Sequence, residues 1–242
     1  MKTNPRSIIW SLLWVIAVAI SSCNLGPTEK EITIKQQWYS IDSSTILESI
    51  RQGKKDVFKL VGDSPPEYVL SSWSSGWTQD DFLFIANTLH KAIWNEGLES
   101  WSLHQMDFTL NCDKVGVGFY NARFEFFKVE TTAGQESRIV HNLTIEPGLN
   151  SASIWDRVFS PKVMNWATID LKKVEISADQ AIQIAEDNGG YEVRTAVNNA
   201  CSISIFLSPG AVRYKEWTIT YQKGRTKRIF DLEIDPYTGE IR

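Results

Sequence analysis

The stretch RIFDLEIDPYTGEI, Arg228 to Ile241, decides how this chain is expected to fold. Phe230, Leu232 and Ile234 alternate with Asp231 and Glu233, the period-two pattern of a strand with one buried face. Asp235-Pro236 closes the strand. Thr238-Gly239 supplies a turn in which glycine takes a positive φ without steric cost, and Glu240-Ile241 returns. An earlier stretch, RIVHNLTIEP from Arg138 to Pro147, has the same basic start, alternation and acidic-Pro close. A strand-like run precedes each of them, Ala122–Phe127 and Tyr214–Ile219. Further upstream each half shows a capped helix, a glycine stop and more strand. The repeated order predicts an α+β chain of two similar units, each a helix packed on an antiparallel β-sheet, the first more diverged.

The two helices carry clear start signals. Thr78 stands three residues before Asp81, a variant of the capping box, and Phe82, Ile85, Ala86, Leu89 and Ile93 then recur at helical spacing up to Gly97. Ser177 stands three residues before Gln180, and Ala178, Ala181, Ile182 and Ala185 form a small-residue stripe that Gly189-Gly190 should stop. Strands are expected at Lys30–Tyr39, Leu103–Leu110, Val115–Phe119, Ala122–Glu130 and Arg138–Ile145. In the second half they are expected at Tyr191–Val197, Ser202–Leu207, Tyr214–Tyr221 and Arg228–Ile234. A short helix should run from Ser43 or Ser44 through Arg51. Residues 62–76, with two prolines and five serines, read as a loop around one short element at Tyr68–Leu70, and residues 149–173 as a connector.

The N-terminus has a different character. Lys2 and Arg6 precede an apolar run from Ile8 to Ile20 broken only by Ser11, and Ser21-Ser22-Cys23 follows. This is the layout of a secretory signal peptide, too short for a spanning helix, which needs about 20 apolar residues. With Cys23 after small residues it resembles the lipobox of bacterial lipoproteins. The resemblance implies cleavage before Cys23 and lipidation of that cysteine, with palmitate-type acyl chains, on the extracytoplasmic face of a cell membrane or outer membrane. Without residues 1–22 the chain keeps 23 basic against 29 acidic residues, a net charge of −6, which gives no bulk attraction to nucleic acid. Cys112 and Cys201 then form an even pair in a compartment that permits disulfides. They are either bonded or two buried thiols.

Residues 174–242 resemble the PepSY family. The resemblance rests on Ile176-Ser177-Ala178 with Ala181, on WTITY from Trp217 to Tyr221, and on LEIDPYTGEI from Leu232 to Ile241; its motif positions here include Trp217, Tyr221, Asp235, Thr238 and Gly239. It implies a small extracytoplasmic helix-on-sheet module found in lipoproteins and protease propeptides, without catalytic residues. The expected organisation is a signal peptide at 1–22, a lipidated tether at 23–31, a diverged PepSY-like unit at 32–150, a connector at 151–173 and a PepSY-like domain at 174–242.

No Gly-x-Ser-x-Gly, HExxH, CxxC or P-loop pattern occurs, so no enzyme activity, cofactor or metal site is expected. His90, His104 and His141 are dispersed, and His90 falls one position past its helix's apolar stripe, where a surface or boundary place is expected. Asp80-Asp81 suits a helix N-terminus. Asn142-Leu143-Thr144 fits a glycosylation sequon but carries little weight in a bacterial lipoprotein. The expected function is therefore a membrane-anchored, non-catalytic binding or protease-restraining lipoprotein whose partner is an envelope protease or other protein, bound by strand addition at a sheet edge. The alternative is a carbohydrate or cell-wall binding lipoprotein using exposed Trp73, Trp77, Trp94 or Trp101.

Overall fold

The computed structural model describes residues 28–65, 76–209, 215–224 and 226–242; Cys23, Trp73 and the Tyr68–Leu70 element lie outside them. Its nine strands are β1 (Lys30–Ser40), β2 (Lys59–Gly62), β3 (Ser102–Asn111), β4 (Asn121–Thr132), β5 (Gln135–Glu146), β6 (Ser151–Ser160), β7 (Ser202–Pro209), β8 (Lys215–Lys223) and β9 (Lys227–Ile234). The helices are α1 (Ile46–Arg51), α2 (Gln79–Trp94), α3 (Ala178–Ala185) and α4 (Tyr191–Ala196).

All nine strands join one antiparallel sheet in the order β2-β1-β6-β5-β4-β3-β7-β8-β9. This overturns the expectation of two helix-on-sheet units. Strand β3 pairs with β4 on one side and with β7 on the other, from Met106↔Leu207 to Asn111↔Ser202. The register lines up one transverse row, Ile154–Leu143–Phe124–Met106–Leu207–Trp217–Ile234, across six strand pairings. Every member of that row is at most 1% exposed. One sheet face thus carries a continuous apolar layer, and removing it from water is the main stabilising term.

Helix α2 lays Phe82, Ile85, Ala86 and Leu89 on that layer, and α3 packs its alanine stripe against β8. Both capping boxes form. The two N-termini also cap each other, because Gln79 N donates to Asp179 Oδ2 at 3.0 Å and Ala178 N to Gln79 Oε1 at 2.8 Å. At the far end of β3, Cys112 and Cys201 are joined by a disulfide, and Cys112 N donates to Cys201 O at 3.0 Å.

Three element assignments differ from expectation. Residues 149–173 contain β6, an interior strand between β1 and β5. Its two central charges each find a partner on their own face: Asp156, opposite His141 in the register, accepts from Trp94 Nε1 at 3.5 Å, and Arg157 donates to Glu125 at 2.8 Å and Asn142 at 2.5 Å. Tyr191–Val197 is not a strand, since α3 continues through a π-turn at Glu186–Gly190 into α4, with Gly189 at φ +107° taking the kink. Val115–Phe119 forms only the Trp77↔Phe119 bridge. There Gly76 and Gly118 pass so closely that a Cβ on Gly76 would stand 2.2 Å from Val117 O.

The opposite sheet face is covered differently. Arg138 is fully buried there. It donates to Glu29 at 2.8 Å and to the Met164 carbonyl, under the Trp166 ring 4.1 Å away. Trp166 also packs on Phe127 and Phe159 and stacks on His104.

Candidate functional site

The last strand and its turn are tied to the start of α3. Glu175 N and Ile176 N both donate to Pro236 O at 3.0 Å, and Trp217 Nε1 donates to Ile176 O at 2.7 Å. Asp235 Oδ1 accepts from Tyr237 N at 2.8 Å and Thr238 N at 3.2 Å, the Asx-turn that an Asp before Pro favours. Gly239, at φ +76°, closes the turn onto Asp235 O, and a Cβ there would press on Ile176 Cδ1 at 3.3 Å. Tyr221 donates to the buried Glu186 at 2.6 Å, and Arg194 Nε reaches the other carboxylate oxygen at 2.6 Å. Burial, then the bond to Glu186, holds the Tyr221 phenol protonated far above its ordinary range. Trp217, Tyr221, Asp235, Thr238 and Gly239 are therefore scaffold: they fix the strand order and aim β9.

What this scaffold presents is an edge. Among the described residues no strand pairs with the outer side of β9, apart from the Ile234↔Ile241 bridge. Glu233 O accepts from Arg242 N on that side, so the backbone of Asp231, two residues earlier, faces the same way.

A second polar assembly lies between the end of α2 and β4–β5–β6. His90 and His141, 51 residues apart, meet at 2.9 Å between His90 Nε2 and His141 Nδ1. His90 Nδ1 is 2.7 Å from Glu96 O. A carbonyl only accepts, so Nδ1 of neutral His90 carries the proton and its Nε2 is an acceptor. His141 Nδ1 must then donate, which leaves His141 Nε2 unprotonated. The His141 ring is sandwiched by Trp94 at 3.8 Å and Trp101 at 4.0 Å between centroids. Burial is the leading cause that lowers both imidazole pKa values, that of His141 to about 2, with His90 and Lys128 as further causes for His141. A cavity of about 280 Å³ opens beside the pair, lined by Trp94, Glu96, Lys128, His141 and Asp156 among others.

Residues 175–242 match the family of peptidase propeptide and YPEB domains, PepSY. This stretch is a PepSY domain. No curated protein and no solved structure matches the chain. The PepSY domain thus ends on the edge strand β9, and it contributes three of the nine strands to a sheet shared with the rest of the chain.

The tertiary structure corrects the reading of His90, which is fully buried and paired. His104 stays apart, bonded to Ala167 O. Trp77 and Trp101 are buried, and Trp94 stacks on His141, so these three do not form the shared exposed face that a carbohydrate platform requires. Asn142 is buried and donates to Glu125 at 2.7 Å, which removes it as a surface sequon. Glu186, Arg194, Arg138 and the histidine pair were not legible as partners. The buried charge of Glu186 lay inside an ordinary helix pattern, and the histidines meet only through the sheet register that sets His141 opposite Phe126 and Asp156.

Proposed function

We propose that this chain is a non-catalytic, lipid-tethered extracytoplasmic protein whose PepSY domain holds a peptidase or another protein partner by strand addition on β9. The PepSY match at residues 175–242 carries the reading, because such modules act as propeptide or inhibitory segments. The open edge of β9 supplies a mechanism. An extended partner segment would pair with the outward backbone groups around Asp231, and Lys227, Arg228, Asp231 and Glu233 would select among partners by charge. Cys23 is the proposed lipid attachment, with residues 1–22 as the removed signal, residues 23–31 as the tether and the acyl chains as the membrane anchor. Among the described residues no helix is long and apolar enough to cross a membrane.

The test is capture of envelope proteins by the full chain, with the recovered peptidase assayed for inhibition. Asp231→Pro removes one outward N–H, a change an edge strand tolerates, and should abolish capture, whereas Asp231→Asn should retain it. Equal capture by both variants would exclude strand addition on β9. Mass spectrometry of the mature protein tests the anchor separately: an unmodified Cys23 would remove it from the reading.

A further inference from the structure

We propose that the cavity between the C-terminal end of α2 and strands β5 and β6 is a binding site for a late first-row divalent cation such as Zn²⁺ or Cu²⁺, with His141 Nε2 and Asp156 Oδ1 as its protein ligands. The site is independent of the proposed partner binding on β9, which lies at the far edge of the sheet.

Three observations carry it. His141 is 3% exposed, and its Nδ1 is committed to His90, so Nε2 is the nitrogen left for the cavity. Its lone pair is set by the relay from Glu96 O through His90. Metal-bound histidines are oriented in this way, by a hydrogen bond from the other ring nitrogen that fixes tautomer and ring plane. Second, Asp156 Oδ1 stands 3.6 Å from His141 Nε2, too far for a hydrogen bond between them. Two donors bound at about 2.0–2.2 Å to one ion, about 110–120° apart, are themselves separated by roughly 3.3–3.8 Å. Third, the cavity has room for water at the remaining positions, and Glu96 lines it as a further carboxylate.

The donor set narrows the ion. One imidazole and one carboxylate suit zinc, copper or nickel better than calcium or magnesium, which take oxygen alone. The surrounding charges are mixed. Glu96 and Glu130 hold Lys128 at 3.2 and 2.9 Å, and Lys35 acts on Asp156 from β1. Among the described residues no three such side chains already converge on one point. Two protein ligands make this a site of modest affinity rather than a structural metal centre.

The indoles of Trp94 and Trp101 against His141 provide the readout, since Cu²⁺ bound at Nε2 would quench them. Cu²⁺ titrated into the purified full chain should give saturable quenching with one equivalent bound, and Zn²⁺ should compete for it. His141→Gln and Asp156→Asn should each weaken binding by about tenfold or more, whereas His104→Gln should titrate like the wild type. Absence of saturable binding by the wild type would overturn the site, as would Asp156→Asn titrating like the wild type. The second outcome remains decisive even if His141→Gln does not fold.

Discussion

The two parts of the sheet bury polar groups in opposite ways. Among the described residues of the PepSY domain this is done by short-range contacts: Tyr221 and Arg194 close on Glu186 from strand and helix 35 and 8 residues away, and buried Thr220 donates to Asp231 at 2.7 Å across the β8–β9 pair. In the N-terminal part both faces of β4–β5–β6 hold polar assemblies. The histidine pair lies under α2 on one face. On the other, Arg138 and Arg157 are distributed among Glu29, Glu31, Glu125 and Asn142, with Nε of each arginine buried and unpartnered. A short-range triad can be kept by a small module in many contexts. An interior built from contacts more than 100 residues apart, such as Arg138 with Glu29, exists only when the whole sheet is assembled. Buried polar groups without partners cost far more than paired ones gain, so the N-terminal part should be the more specific in its fold and the more sensitive to conditions.

The strongest test of that contrast is the strand the two parts share. Phe108→Ala in β3 removes a fully buried ring that packs on Phe82, Phe119, Phe124 and Trp217, and should cost about 3–5 kcal/mol. Urea unfolding should remain a single transition in which both parts are lost together. A PepSY domain that stays folded while the remainder melts would show that the common row is not one cooperative core.

Removing the Cys112–Cys201 bond by double substitution to serine should lower stability by about 2–4 kcal/mol, because the bond closes a long loop across the seam between the two parts. The same denaturation experiment measures it, and no change on reduction would indicate that β3–β7 pairing alone holds the seam.

Acid should act on the N-terminal part first. His90 and His141 both have folded pKa values below the ordinary 6.5, so below that pH the unfolded chain binds more protons than the folded one. The stability contributed by the neutral pair is present above about pH 6.5 and is lost as pH falls below it, for His141 down to about 2, at up to about 1.4 kcal/mol per pH unit for each histidine. Tryptophan fluorescence in EDTA should report this loss at Trp94 and Trp101, and His90→Gln should flatten the slope. An unchanged slope would place the acid sensitivity elsewhere.

The smallest effect is expected in the PepSY triad. Tyr221→Phe removes one hydrogen bond to a carboxylate that Arg194 still pairs, at a cost of about 1–2 kcal/mol by thermal unfolding. A loss as large as that of Phe108→Ala would remove the distinction drawn between the two parts.

Local signals in the sequence determined a good deal. The two capping boxes, the α2 stripe and the turn at Asp235–Gly239 are decided within a few residues, because side chain meets backbone three or four positions away, and each forms in the structure. The resemblance of the C-terminal stretch to PepSY rests on the same local chemistry. Only the tertiary structure decided what β6 is, since Asp156 and Arg157 read as loop residues until His141, Glu125 and Asn142 stand beside them. It also turned two expected units into one sheet. Alternation specifies that a strand has a buried face but not which strand lies next to it, and β3 acquires β7 as a neighbour because the row through Met106 and Leu207 buries more apolar surface joined than apart.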